Sequence, residues 1–95
     1  MHWNVRIREG IFRTAPGELS VDRSGLLLTR GGSSGNLCLG REDPATLNLL
    51  AAGREYELEI VTGDQVIRVL FPAGTDYRQV FGAFSDAFGH RFSVN

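Results

Sequence analysis

Four kinds of side chain here are able to do chemistry: one cysteine, two histidines, a row of glutamates and a set of arginines. With a base beside it, a thiol is a nucleophile; with histidines, it is a zinc ligand. His2 and His90 stand near opposite ends of the chain, and no pair lies at metal-ligand spacing. Neither Cys38 with His90 nor Ser24 with His90 carries a local signature, so only the fold could bring them together. No catalytic residue, metal or cofactor is expected. Cys38 sits in the apolar run Leu37-Cys38-Leu39 and reads as a buried, inert thiol. As the only cysteine it has no partner for an intrachain disulfide, which points to a reducing compartment and to the cytoplasm.

The charged groups offer binding rather than catalysis. Glu55, Glu57 and Glu59 alternate with Tyr56, Leu58 and Ile60. Along a strand such glutamates stand roughly 7 Å apart on one face. That suits a wetted face, or contact with a basic partner surface, better than a catalytic pair of carboxylates. Arg6, Arg8 and Arg13 form the electropositive candidate for an anionic ligand or a lipid headgroup. The competing reading pairs these arginines with the strand glutamates. Every basic residue is Arg and none is Lys, which removes Schiff-base chemistry and a Walker-type lysine. A net charge of −1 argues against nucleic-acid binding by phosphate neutralisation.

These groups must be positioned by the elements around them. The 95 residues predict one domain with a modest core. Residues 2–12 alternate, with Trp3, Val5 and Ile7 inward, and Ile11 and Phe12 re-entering the core after a bend at Gly10. Ala15-Pro16-Gly17 reads as a turn. Leu19 and Val21 mark the next strand, and Arg23-Ser24-Gly25 turns it into Leu26-Leu27-Leu28. The Gly- and Ser-rich stretch 30–36 reads as a flexible loop; as a phosphate cradle it lacks the Lys-Ser/Thr ending and the following helix. Residues 45–52 fit either a strand or a Pro-started helix, and Gly53 arrives too soon for the helix. Residues 54–62 and 66–71 predict a hairpin about Gly63-Asp64, with Arg68 opposite one of the glutamates.

The period then changes from two to about 3.6. Tyr77, Val80, Phe81, Phe84 and Phe88 predict an amphipathic helix over 75–89. Thr75 or Asp76 would cap it at the start and Gly89 at the end, and its aromatic stripe would plug the sheet. Residues 90–95 read as a frayed tail or short extension. The expected architecture is mainly β with one C-terminal helix: an antiparallel barrel or sandwich of six or seven strands within residues 2–72. The opening residues carry no charged segment followed by an apolar stretch, so no secretory signal is expected. No apolar run is long enough to span a membrane.

This order of elements resembles the pleckstrin-homology (PH) superfold. Residues 17–29 look like its second and third strands, residues 56–71 like its last hairpin, and residues 77–88 like its closing helix. The pattern is similar to stand-alone bacterial PH-like proteins and to the PH-like module in the small subunit of the FACT histone chaperone. PH helices usually bear an inward Trp, whose place Phe84 or Phe88 takes here. Inositide-binding members carry basic residues on the first two strands. Arg6 and Arg8 match the first part, but Glu18, Ser20 and Asp22 on the second strand would repel a phosphate, so inositide binding does not follow from the resemblance. The expected function is a non-catalytic module that binds a protein partner or a second copy through a sheet edge or an apolar patch beside the helix. One alternative is anionic-ligand or lipid-headgroup binding through Arg6, Arg8 and Arg13. The other is a small-molecule carrier or a small enzyme.

Overall fold

Alternation decides which way each strand faces, and the chain spends most of its length alternating. The computed structural model describes residues 1–30 and 35–95. In chain order the elements are β1 (His2–Arg8), β2 (Thr14–Asp22), β3 (Gly25–Arg30), β4 (Leu37–Gly40), β5 (Thr46–Ala52), β6 (Glu55–Val61), β7 (Val66–Leu70), α1 (Tyr77–Phe88), a 3₁₀ turn (Gly89–Arg91) and β8 (Phe92–Val94). The strands form one sheet in the order β4-β3-β2-β1-β7-β6-β5-β8. All neighbours are antiparallel except β5 and β8. Among the described residues the chain is therefore mainly β with a single C-terminal helix, as its periodicity predicts.

The inner face carries one continuous apolar cluster to which every strand and the helix contribute. The sheet opens at its middle. β1 and β7 share only the pairs Arg6↔Leu70 and Ile7↔Val69. Beside this short seam Trp3 meets Phe71 edge-on, centroids 5.3 Å apart, and stacks on Phe84 of α1 at 6.0 Å. α1 packs against β2, β3 and β8, so it lies over the mouth left by the curled sheet. The Asp76 carboxylate accepts from the Arg78 N–H at 2.9 Å and caps its start. Gly89, at φ 59°, caps its end.

Several expectations change. Among the described residues the sheet is open, with edges at β4 and β8, and has eight strands. The eighth comes from the tail. Phe92 packs on Phe81 and Phe84, and the Asn95 N–H bonds to the Leu49 carbonyl at 2.9 Å. Arg91 anchors the approach by donating to the Asp43 carbonyl, with its guanidinium 5.8 Å above the Phe88 ring. Residues 15–17 belong to β2 rather than to a turn. Pro16 fits because it sits opposite Arg6 in a non-hydrogen-bonded pair of the β1–β2 ladder; Met1 and Val21 exchange both bonds, and the pairs alternate from there. Its nitrogen therefore faces the β3 side, where Gly17↔Arg30 is the last described pair, and the missing N–H takes no bond from the β1–β2 ladder. Residues 45–52 supply β5, the expected strand.

Ile11 and Phe12 do not re-enter the core. β1 ends at Arg8, and the Glu9 N–H closes a loop on the Arg13 carbonyl at 3.0 Å, which pushes residues 10–12 outward. The helical stripe is divided: Val80, Phe84, Ala87 and Phe88 are buried, while Tyr77 and Phe81 reach solvent. Cys38 is exposed, not buried. Leu39 occupies the inner face and Leu37 packs against the core, so period two turns the residue between them outward. The phosphate-cradle reading of 30–36 falls mainly on residues 31–34, which lie outside the described residues.

Candidate functional site

The two charged groups singled out in the sequence meet each other. β7 lies between β1 and β6, and side chains reach across it on the outer face. Arg6 donates to Glu55. Arg8 Nε donates to Glu57 Oε1 at 2.7 Å. Arg68 Nη2 donates to Glu59 Oε2 at 3.2 Å, between residues directly opposite in the β6–β7 register. Three arginines and three glutamates thus cancel in a ladder. An anionic ligand at Arg6 or Arg8 would have to displace a carboxylate already in place. Arg13 stands apart, exposed in the loop after β1, and forms none of the ion pairs among the described residues.

Reactive groups stay dispersed. His2, Ser20, Leu27 and Cys38 share one row across β1, β2, β3 and β4. At about 4.8 Å per strand step the imidazole and the thiol belong to backbones roughly 14 Å apart. His90 lies in the turn before β8, the opposite edge strand from β4. Among the described residues no three His, Cys, Asp or Glu side chains gather as metal ligands, and no polar side chain is buried. One carboxyl departs from its ordinary value. Asp22 is lowered, first by the Ser24 hydroxyl and then by the Ser24 N–H, both donating to Oδ1 in the β2–β3 turn. This is turn chemistry on an exposed residue.

The apolar surface is more pronounced. At the start of α1, Leu49, Leu50 and Ala51 of β5, Tyr56 of β6, Tyr77 and Val94 enclose a hollow of about 240 Å³. Tyr56 and Tyr77 face each other with centroids 5.5 Å apart. Tyr77 continues to Phe81 at 5.8 Å, and Phe81 to Phe92 at 5.9 Å. An aromatic run therefore leads from the rim into the core. Tyr77 (36 % exposed) and Phe81 (44 %) show their outer sides to solvent. The rim suits tyrosine, whose ring packs while its hydroxyl stays wet. The run borders the open edge of β8, where strand alternation turns the Val94 N–H and C=O away from β5.

A second apolar feature is the loop after β1. Ile11 is 84 % exposed and Phe12 94 %. A wider groove of about 550 Å³ runs between the β2–β3 turn and β4, with Ser20, Leu27 and Cys38 in its lining. The helix-side patch was partly legible, because the stripe marked Tyr77 and Phe81; the hollow was not, because it needs β5, β6 and β8 brought side by side. No helix among the described residues is long and apolar enough to cross a membrane. No model of a known protein family matches this chain, and no curated protein matches it.

Proposed function

We propose that this chain is a non-catalytic interaction module that engages a protein partner or a second copy through the apolar surface beside α1. The observation that carries this reading is the pair Tyr77 and Phe81, held exposed on the rim of an apolar hollow and next to an unpaired strand edge. Exposed apolar groups clustered around a concavity are what protein contact surfaces offer. The hollow is smaller than the roughly 300–1,000 Å³ of small-molecule sites, which favours a partner's side chain over a carried ligand. The exposed single thiol supports a reducing, cytoplasmic setting. A PH-like reading is supported by the order of elements, in which the helix follows the last hairpin and lies over the mouth of the sheet.

A photo-crosslinking residue at position 81 tests the proposal in cells, with position 23 in the exposed β2–β3 turn as control. Adducts at 81 that vanish in Tyr77→Ala support it, and their mass tells a second copy from another protein. No adduct at 81 ends it.

A second reading has its own observation: Ile11 and Phe12 project beside Arg13, as a residue set that touches an anionic lipid surface would. Flotation with anionic vesicles that weakens with salt and disappears in Arg13→Ala would favour it. Equal recovery with neutral vesicles would remove it.

A further inference from the structure

We propose that copies of this chain associate head to tail, with the Phe12 ring of one copy seated in the hollow beside Tyr77 of the next. The proposal rests on the reading of the helix-side surface as a contact surface and names its occupant. Phe12 contributes no packing to its own fold: at 94 % exposed it is the most open large apolar side chain described. The Glu9–Arg13 hydrogen bond closes the base of the loop that carries it. The hollow is its complement. An enclosed cavity of about 150 Å³ lined by aliphatic and aromatic side chains takes up benzene; this hollow is open to solvent on one side and has about 240 Å³, with Leu49, Ala51 and Val94 on its walls and Asn95 beside them. Tyr56 and Tyr77 already pack on each other, and the parts of their rings left free line the hollow, where an incoming ring would meet aromatic surface.

The ring cannot enter the hollow of its own molecule. Arg6, Leu70 and Glu57 share one row across β1, β7 and β6, so Tyr56 lies level with Val5. The loop tip stands six residues beyond Val5, roughly 15–20 Å along the strand direction. It also sits on the far side of β7 and β6 from β5, and its closed base leaves no slack to cross them. Ring and hollow therefore pair only between copies. Each copy supplies a knob at one place and a hole at another, so the contact is heterologous and closes into a ring or continues as a chain.

Sedimentation velocity of the full chain over a wide concentration range tests this. The weight-average mass should rise with concentration. Phe12→Ser should return it to the monomer, and Phe12→Trp should keep association. Ala51→Trp, at an exposed position on the hollow wall, should block the hole and also give a monomer; Val94→Trp serves if that variant misfolds by circular dichroism. The decisive sample mixes Phe12→Ser with the blocked variant. Each retains the half the other has lost, so the mixture should form a one-to-one dimer and nothing larger. A wild-type chain that stays monomeric, association that survives Phe12→Ser, or a mixture that fails to dimerise overturns the proposal. A monomeric chain whose Phe12 is required for flotation with anionic vesicles overturns it in favour of a lipid contact. A monomeric chain that still cross-links at position 81 to a different protein sinks this inference and leaves the contact-surface reading standing.

Discussion

Leu70 stands directly opposite Arg6 on the outward face of the sheet, yet only 6 % of its surface meets solvent. It lies outside the main apolar cluster. Arg6 flanks it on β1 and Glu57 on β6, and the Arg6–Glu55 and Arg8–Glu57 pairs pass over β7 above it. The aliphatic stems of the arginines thus roof a leucine while their heads stay wet. The ladder packs as well as neutralises. Leu70→Ala should therefore destabilise the domain by about 2 kcal/mol, the low end for a buried leucine, because the site is shallow. Urea unfolding measures it; a change under about 0.5 kcal/mol would mean the roof does not exclude water.

The charges themselves should matter little. Exposed ion pairs contribute about 0.2–1 kcal/mol. A double-mutant cycle on Arg8 and Glu57 should give a coupling in that range, reduced by half or more in about 1 M salt, where the screening length falls to about 3 Å. A coupling that ignores salt would point to packing alone.

Asp22 gives the pH prediction. Its carboxyl lies below the ordinary value because the Ser24 hydroxyl, and then the Ser24 N–H, bind the ionised form. A depressed carboxyl stabilises the fold above its unfolded value and loses that contribution as pH falls through the folded one. The window lies below about pH 4. Ser24→Ala should raise the Asp22 titration midpoint, followed by NMR, and whatever stability it removes should be missing near pH 7 and not at low pH, where the carboxyl is protonated in both chains. An unmoved midpoint would show that the Ser24 side chain is not the principal cause.

Period two made most of this fold readable. Alternation placed Trp3, Val5, Leu19, Leu58 and Ile60 inward, and it paired Arg68 with a glutamate across the hairpin. It also held the answer for Cys38: with Leu39 facing inward, the thiol next to it must point out. The remainder depended on relations between distant segments. Phe12 looked like core because an apolar side chain carries no mark of the loop that expels it. β8 was hidden because three residues have no period to read; they become a strand only where β5 presents an open edge and Arg91 is held at Asp43. Arg6 and Glu55 lie 49 residues apart in sequence and were brought together by the β1–β7 seam.

Gly25 should tolerate no side chain. Its φ of 142° is one L residues rarely adopt, and a Cβ there would fall 2.0 Å from the Leu39 carbonyl oxygen. That oxygen belongs to the neighbouring edge strand, whose Gly40 is the register partner of Gly25. Gly25→Ala must therefore push β4 away or distort the turn, at a cost above about 2 kcal/mol. Hydrogen exchange should show amides of β4 losing protection first while β5, β6 and β7 keep theirs. Uniform loss along the chain would mean that β4 unfolds only with the whole domain.

The helix should divide energetically as it divides in space. Phe84 is fully buried and touches Trp3, Phe71, Phe88 and Phe92 through its ring. Removing such a ring costs about 3–5 kcal/mol, against a total stability of about 5–15 kcal/mol for a typical domain. Phe84→Ala should thus leave the chain largely unfolded at moderate temperature. Phe81, three residues earlier on the same helix, is nearly half exposed. Phe81→Ala should cost about 1 kcal/mol or less and still abolish association through the helix-side surface, read by sedimentation. Thermal unfolding of the two variants side by side checks this. Equal losses would mean that Phe81 belongs to the core, and the contact surface assigned to it would have to lie elsewhere.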